Sequence, residues 1–532
     1  MKLASTTRLL TACGLAMACL GSFAQAQNPA SVIRFIPMSE VVNFDPIMEV
    51  TRSSSQHGYM IYDTLFSLDA RGVPQPQMVE SYKADASGRT YTMVLRPRLK
   101  FHDGSAVTAA DAVASIDRWA KKDTLGKRLA ALGLKAAVVD ERTFTVTTDK
   151  PSSLVLTAFA KPTGSPLFVM RAKDAANEPT QRVTANIGSG PFRFVAGEYV
   201  PGSKIVYERN ADYVPRAEPA SFLAGGKRVH VNRVEFRIIT DPSTATAALA
   251  SGEVDIYEAP PADLLPQLQR SKEVVTKVID KGGIMTVIRP NTLQPPFDNV
   301  LARRALLHAV DQSDYVQLMG GAKGEFARQC HSFLGCGFEG YSEAGMDEFK
   351  KPSTEKAKAL LKQAGYKGEP IIVMHPMEYP PITDQTSVAV EQLRKAGFNV
   401  QPMSMDWAAL TARRANRGPA PEGGWNLFLT YTYSFNMASP ALNFYLASPC
   451  GGGGWFGWPC DKKIEALTDE WMAEVDLSKR SAIERQIHLQ ARESLPYVPV
   501  SQSFSPVAYR KNIVDLMEVP ATVFWNVRKT AK

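Results

Sequence analysis

The sequence predicts an α/β protein built as two lobes. Residues 233–240 alternate at strand period (Val234, Phe236, Ile238), Asp241 caps a helix through Leu249, and Gly252-Glu253-Val254-Asp255-Ile256 returns as a strand. A second βαβ unit follows at residues 371–400, with a strand at Ile371–Met374, a helix over Asp384–Ala396 stopped by Gly397, and a strand into Val400. The chain has 532 residues, 45% of them hydrophobic, which is more than one compact core accommodates. The bend at Asn291 to Pro296 marks the crossing between the units.

Taken in order, the N-terminus reads as an export leader. Lys2 and Arg8 supply the basic start, Leu9 to Phe23 is apolar or small, and Ala24-Gln25-Ala26 is an A-x-A cleavage site, so the mature chain begins at Gln27. The apolar core is short for a membrane anchor. Leu10-Thr11-Ala12-Cys13 resembles a lipobox, but Arg8 leaves almost no apolar stretch before it. No later run of 18 apolar residues is present.

Removing Lys2 and Arg8 takes the formal charge from +8 to +6, with acids and bases interspersed. No nucleic-acid-binding pattern accompanies that charge. Cleavage leaves four cysteines, Cys330, Cys336, Cys450 and Cys460. Four cysteines allow three pairings. Short loops and an oxidising compartment favour Cys330 with Cys336 and Cys450 with Cys460. The spacings do not suit a zinc site.

Val32 to Ile36 is a strand, and Phe44-Asp45-Pro46 a turn. Tyr91, Met93 and Leu95 alternate as a half-buried strand. Thr108 and Asp111 form a capping-box-like start to a helix carrying Val113, Ile116 and Ala120 on one face. Residues 142–148 are another strand. Phe192 and Phe194 alternate, Pro201-Gly202 turns, and Ile205 and Tyr207 resume, giving a β-hairpin. Asp298 begins a helix through Val310, and Ser353 caps the helix Thr354–Ala364. Two amphipathic helices fill 461–475 and 478–494. The last strands, Val498–Phe504 and Thr522–Val527, return to the first lobe.

The wording of several segments carries more than their pattern. Gly188-Ser189-Gly190-Pro191-Phe192-Arg193-Phe194 runs into Gly202-Ser203-Lys204 and Glu208-Arg209-Asn210. Tyr62-Asp63-Thr64-Leu65-Phe66, Phe101-His102-Asp103-Gly104 and Pro296-Phe297-Asp298 with Arg303-Arg304-Ala305-Leu306 occur in the same order. Together they resemble the signature of the family 5 periplasmic solute-binding proteins, the dipeptide, oligopeptide and nickel receptors of ABC importers. The resemblance implies a two-lobed periplasmic-binding-protein fold (Venus flytrap), with an extra subdomain in the first lobe and a hinge motion that traps a solute. It divides the chain into a signal peptide (1–26), lobe I (27–65, 186–282 and 498–532), the subdomain (66–185) and lobe II (283–497). It implies a helix at Tyr62–Phe66. It also implies an inner-membrane permease with its ATPase as partners, a periplasmic location, a monomer and no cofactor.

No catalytic signature is present: no G-x-S-x-G, H-E-x-x-H, phosphate-binding loop or dinucleotide glycine run, and the seven histidines are scattered. His102-Asp103 reads as a turn rather than a catalytic pair. The expectation is a receptor and not an enzyme. A periplasmic hydrolase, a sensing receptor without transport, and a metal or haem binder stand as rivals.

Ligand chemistry is better represented. Trp425, Leu427, Leu429, Tyr431 and Tyr433 alternate along one strand, so the two tyrosines can line a cleft from its end. Trp407 lies in a segment that resembles a ligand-proximal position of the family. Arg413 and Arg414 follow it, either able to hold a carboxylate bidentately. Trp455-Phe456-Gly457-Trp458 is a dense aromatic loop beside Cys460. Ser53, Ser54 and His57 are the polar candidates of the first lobe. Peptide-binding members carry an acid that pairs with the peptide amine; here the corresponding residue is Asn436. Losing that charge-assisted bond costs roughly 1.5–3 kcal/mol, which disfavours zwitterionic peptides and favours a carboxylate or neutral polar solute.

Overall fold

The computed structural model describes residues 32–531 except 42, 49, 50, 153, 179, 321–323, 339, 378, 379 and 475. The expected leader at 1–26 lies outside the described residues.

Two mixed sheets form the frame. The first has seven strands, in the order Val274–Val278, Pro506–Arg510, Ile256–Glu258, Val32–Ile36, Arg233–Arg237, Lys204–Arg209 and Phe192–Phe194. Val32–Ile36 runs parallel to both Arg233–Arg237 and Ile256–Glu258, so the predicted βαβ crossover is its centre. The crossover helix Pro242–Ser251 starts where Asp241 accepts the Thr244 amide and stops at Gly252, whose φ of 84° only glycine adopts readily. The signature hairpin forms the sheet's far edge, Phe192 opposite Arg209.

The second sheet has six strands, in the order Ala327–Arg328, Val498–Ser503, Ile284–Pro290, Leu427–Tyr433, Ile371–Pro376 and Val400–Met405. Helix Pro380–Lys395 joins its parallel pair, as the periodicity predicts. A separate four-stranded sheet (Val79–Ala84, Thr90–Leu95, Thr143–Thr147, Lys135–Val138) packs on helix Ala109–Lys122 within residues 66–185.

The chain crosses between the two main sheets at residues 279–283 and again at 504–505. The crossings touch. Gly283 has φ 61°, and a Cβ there would meet the Ser503 carbonyl oxygen at 2.3 Å, so only glycine fits.

Five expectations are corrected. The bend at Asn291 to Pro296 does not mark the crossing: it follows Ile284–Pro290, which already belongs to the second sheet, so the chain has crossed by residue 283. Val498–Ser503 pairs with Ile284–Pro290 in the second sheet, and the return to the first comes only at Pro506. Thr522–Val527 is buried coil; Phe524 packs 5.1 Å from Phe35 over the face of the first sheet without joining its ladder. The helix before Phe66 spans Arg52–Ile61 and ends at Tyr62, where the motif implied a helix beginning. The helix at 300 starts at Val300 under an Asn299 cap, not at Asp298.

Candidate functional site

The carboxyl end of strand Leu427–Tyr433 emerges beside helix Trp407–Arg413, which is fixed by its Asp406 cap accepting the Ala409 amide at 2.6 Å. The Trp407 ring lies 6.0 Å from Tyr431. The Tyr431 carbonyl accepts the Tyr445 hydroxyl at 2.9 Å, and Tyr445 meets Trp455 edge-on at 4.8 Å. Phe428 and Phe456 flank Trp455 at 5.8 and 5.1 Å. Disulfide Cys450–Cys460 closes the loop that carries Trp455, and Cys330–Cys336 is the other bridge, both as the sequence suggests.

Adjacent in sequence, Arg413 and Arg414 have different roles. Arg413 donates through Nε and Nη2 to the Gly424 carbonyl, at 3.0 and 2.8 Å, and so closes its own loop. Arg414 lies over Phe456 at 4.6 Å and Trp455 at 5.3 Å. No carboxylate faces it among the described residues; burial pulls its pKa down and only Tyr445 pushes back. Its buried Nε has no hydrogen-bond acceptor.

A second group joins the lobes. Arg52 opens helix Arg52–Ile61, is 6% exposed, and reaches Asp280 on the crossing (3.3 Å) and Glu258 on the first sheet (3.7 Å). Its guanidinium also stands 5.6 Å from the Tyr433 ring of the second sheet. Burial opposes its charge, but Tyr433, Glu258 and Asp280 outweigh it and hold Arg52 protonated. Burial also raises Asp280 against the pull of Arg52. Asn436 Nδ2 donates to Thr432 at 3.0 Å, and its Oδ1 accepts from Thr163 of the subdomain at 3.4 Å. Ser55 donates to the Gly164 carbonyl next to that contact.

Arg413 aside, which is spent on the Gly424 carbonyl, the predicted residues divide three ways. Trp407, Arg414, Tyr431 and Trp455 come together on one aromatic wall. Tyr433 and Asn436 stand where the lobes meet. Ser53, Ser54 and His57 are turned into their own lobe: Ser53 donates to the Ser39 carbonyl, and Ser54 to that of Asn43. His57 is 2.9 Å from the Tyr207 hydroxyl, packed on Phe44 and Phe194, with burial pulling its pKa to about 3.

Sequence reasoning missed Arg52, Glu258, Asp280, Tyr445 and also Arg289, which lies on strand Ile284–Pro290 with its guanidinium 5.5 Å from the Trp455 ring. A signal existed for Arg289 alone, as a charge inside an apolar strand.

Cavities of about 300 Å³ at His102, Asn186 and Arg193, and about 420 Å³ at Arg34, Arg237 and Glu253, lie on the first lobe. Neither includes the wall. Among the described residues no cluster suits a metal, and no helix is long and apolar enough to cross a membrane.

Comparison with known proteins points the same way. A probable peptide ABC transporter periplasmic-binding protein of Sinorhizobium fredii (strain NBRC 101917 / NGR234), y4tO, is 37% identical over 491 residues, 91% of each chain. The probable deoxycholate-binding periplasmic protein YgiS of Escherichia coli (strain K12) is 25% identical, over 89% of this chain and 88% of that one. Among solved structures, AgaA from A. tumefacien R10 with agropinic acid superposes with a TM-score of 0.76 at 24% identity, covering 94% of this chain and 99% of its own. A dipeptide-binding protein from Pseudoalteromonas sp. SM9913, solved with Met-Leu, gives a TM-score of 0.75 at 19% identity, covering 94% of this chain and all of that chain (100%). The family profile described as bacterial extracellular solute-binding proteins, family 5 middle, matches residues 73–454. This chain belongs to the family 5 bacterial extracellular solute-binding proteins, the periplasmic solute-binding components of ABC importers.

Proposed function

We propose that the chain captures a small solute bearing a carboxylate, by closure of its two lobes, and hands it unaltered to the permease. The observation that carries this reading is Arg414: a half-buried guanidinium stacked on Trp455 and Phe456 with no acid to neutralise it among the described residues. The guanidinium lies over these two rings without a carboxylate partner among the described residues, and its planar fork suits a bidentate acid. Trp407, paired with Tyr431, packs on the same apolar cluster as Trp455 and Phe456. Asn436 is committed to Thr432 and Thr163 and brings no charge for an ammonium group. The relative named for deoxycholate, an acid anion, is in keeping with such a site.

In this reading lobe I comprises residues 27–65, 186–282 and 506–531, with the subdomain at 66–185, and lobe II spans 283–505. The protein acts as a monomer after its leader is cleaved, and it turns nothing over. Ser53, Ser54 and His57 support the lobe I face from behind.

A free peptide is the second reading, favoured by the relative named for peptides. A thermal-shift panel on the mature chain separates the two. It should contain aromatic and aliphatic acids, their primary amides, and dipeptides that are free, N-acetylated or C-amidated. The carboxylate reading expects stabilisation by acids and N-acetylated dipeptides, about 2.7 kcal/mol at a hundred times Kd, and little from amides. Strong stabilisation by a free dipeptide, lost on N-acetylation, would establish the peptide reading instead.

A further inference from the structure

Arg289 is fully buried in strand Ile284–Pro290, opposite Phe428. No acid faces it among the described residues; besides burial, only Tyr445 and Tyr497 act on its charge. Its donors go to backbone carbonyls: Nε to Phe456 (2.5 Å), Nη1 to Tyr445 (2.7 Å) and Pro496 (2.8 Å), and Nη2 to Trp455 (3.3 Å). The same guanidinium lies 5.5 Å from the Trp455 ring and 6.0 Å from Tyr445. Gly457 permits the approach: a Cβ there would stand 2.7 Å from Arg289 Nε. Thr292 fastens the next turn, its hydroxyl 2.9 Å from the Gly457 and Trp458 carbonyls.

A planar fork is what this geometry requires. A lysine carries fewer donors, from a single point, and cannot reach carbonyls spread along three segments. A buried cation answered only by carbonyl dipoles also keeps its field, because no counter-charge cancels it and little water screens it. That field falls on the same indole that Arg414 covers from its own side chain, at 5.3 Å.

We propose that Arg289 is the positioning and charge-selecting residue of this site: it pins the stapled loop so that Trp455 meets Arg414, and its uncompensated charge makes the wall favour anions over neutral isosteres. The proposal rests on the reading of Arg414 given above. It adds that selectivity for charge comes partly from a residue that never touches the solute.

The test needs no solute. Iodide and caesium are used as quenchers of Trp455 fluorescence in the full mature chain, the Trp455 component being the difference from a Trp455→Phe background. In the wild type, iodide should quench this component several-fold more strongly than caesium. Arg289→Gln should lower the iodide-to-caesium ratio about threefold. Arg289→Lys should keep the ratio but raise quenching by both ions, because the loop loosens while the charge stays. Thr292→Val should likewise raise both and leave the ratio.

An unchanged ratio in Arg289→Gln would overturn the charge role. Unchanged quenching in Arg289→Lys would overturn the positioning role, and this variant decides the matter if the glutamine variant fails to fold. Arg414→Gln separates this proposal from the one beneath it. A ratio lost there but kept in Arg289→Gln removes Arg289 alone. A ratio lost only in Arg289→Gln removes Arg414 as the exposed anchor.

Discussion

The Arg52 guanidinium meets the Asp280 carboxylate at 3.3 Å, tying the first turn of a lobe I helix to the segment 279–283 that crosses into lobe II. Both side chains are buried, as is Glu258 beside them. Removing one partner of such a group leaves uncompensated buried charge. Arg52→Met should therefore cost about 3–5 kcal/mol in urea unfolding. Arg52→Met combined with Asp280→Asn should recover part of that loss. Additive losses in the double variant would show that the two groups are not coupled.

Acid stability follows from buried histidines. Burial pulls His57 to about 3, and His102 and His488 to about 4, from an ordinary 6.5. Their folded values lie below the unfolded one, so the unfolded chain binds more protons in that window. Stability is full above the unfolded value and is lost as pH falls from about 6.5 toward 4. His57→Phe should reduce the slope of unfolding free energy against pH by about 1.4 kcal/mol per pH unit within the window. An unchanged slope would mean that His57 is protonated in the folded protein.

The Cys450–Cys460 bridge closes a short loop, separation 10. Replacing both cysteines by serine should cost about 3 kcal/mol on the chain-entropy account. Because that loop carries Trp455, affinity for acids should fall in parallel. A stability loss with unchanged affinity would separate the loop from the site.

Asn436→Asp places a carboxylate between Thr432 and Thr163. It should raise affinity for a free dipeptide by about tenfold or more and leave the N-acetylated dipeptide no better bound. Equal gains for both would show that the position acts by shape, not charge.

Much of the frame was legible because its signals are local. The alternation of Tyr91, Met93 and Leu95, the caps at Asp241 and Ser353, and the two short cysteine spacings each specify a nearby geometry. Sheet membership was not. Val498–Ser503 reads as a strand, but nothing in its pattern states that Ile284–Pro290 is its neighbour. Thr522–Val527 has the apolar content of a strand, yet it spends that surface on the face of the first sheet as coil. At the site, Arg413 and Arg414 are indistinguishable in sequence. The last turn of one helix aims the first at the Gly424 carbonyl and the second at the Trp455–Phe456 wall. Arg52 was invisible for a related reason, since its partners lie more than 200 positions away in the chain.

Titration calorimetry of the mature chain with one acid and its primary amide tests the central claim most directly. The acid should bind at least tenfold more tightly than the amide in the wild type, and Arg414→Gln should bring the two dissociation constants together. Equal constants in the wild type, or a preference that survives the substitution, would contradict an acid held at Arg414.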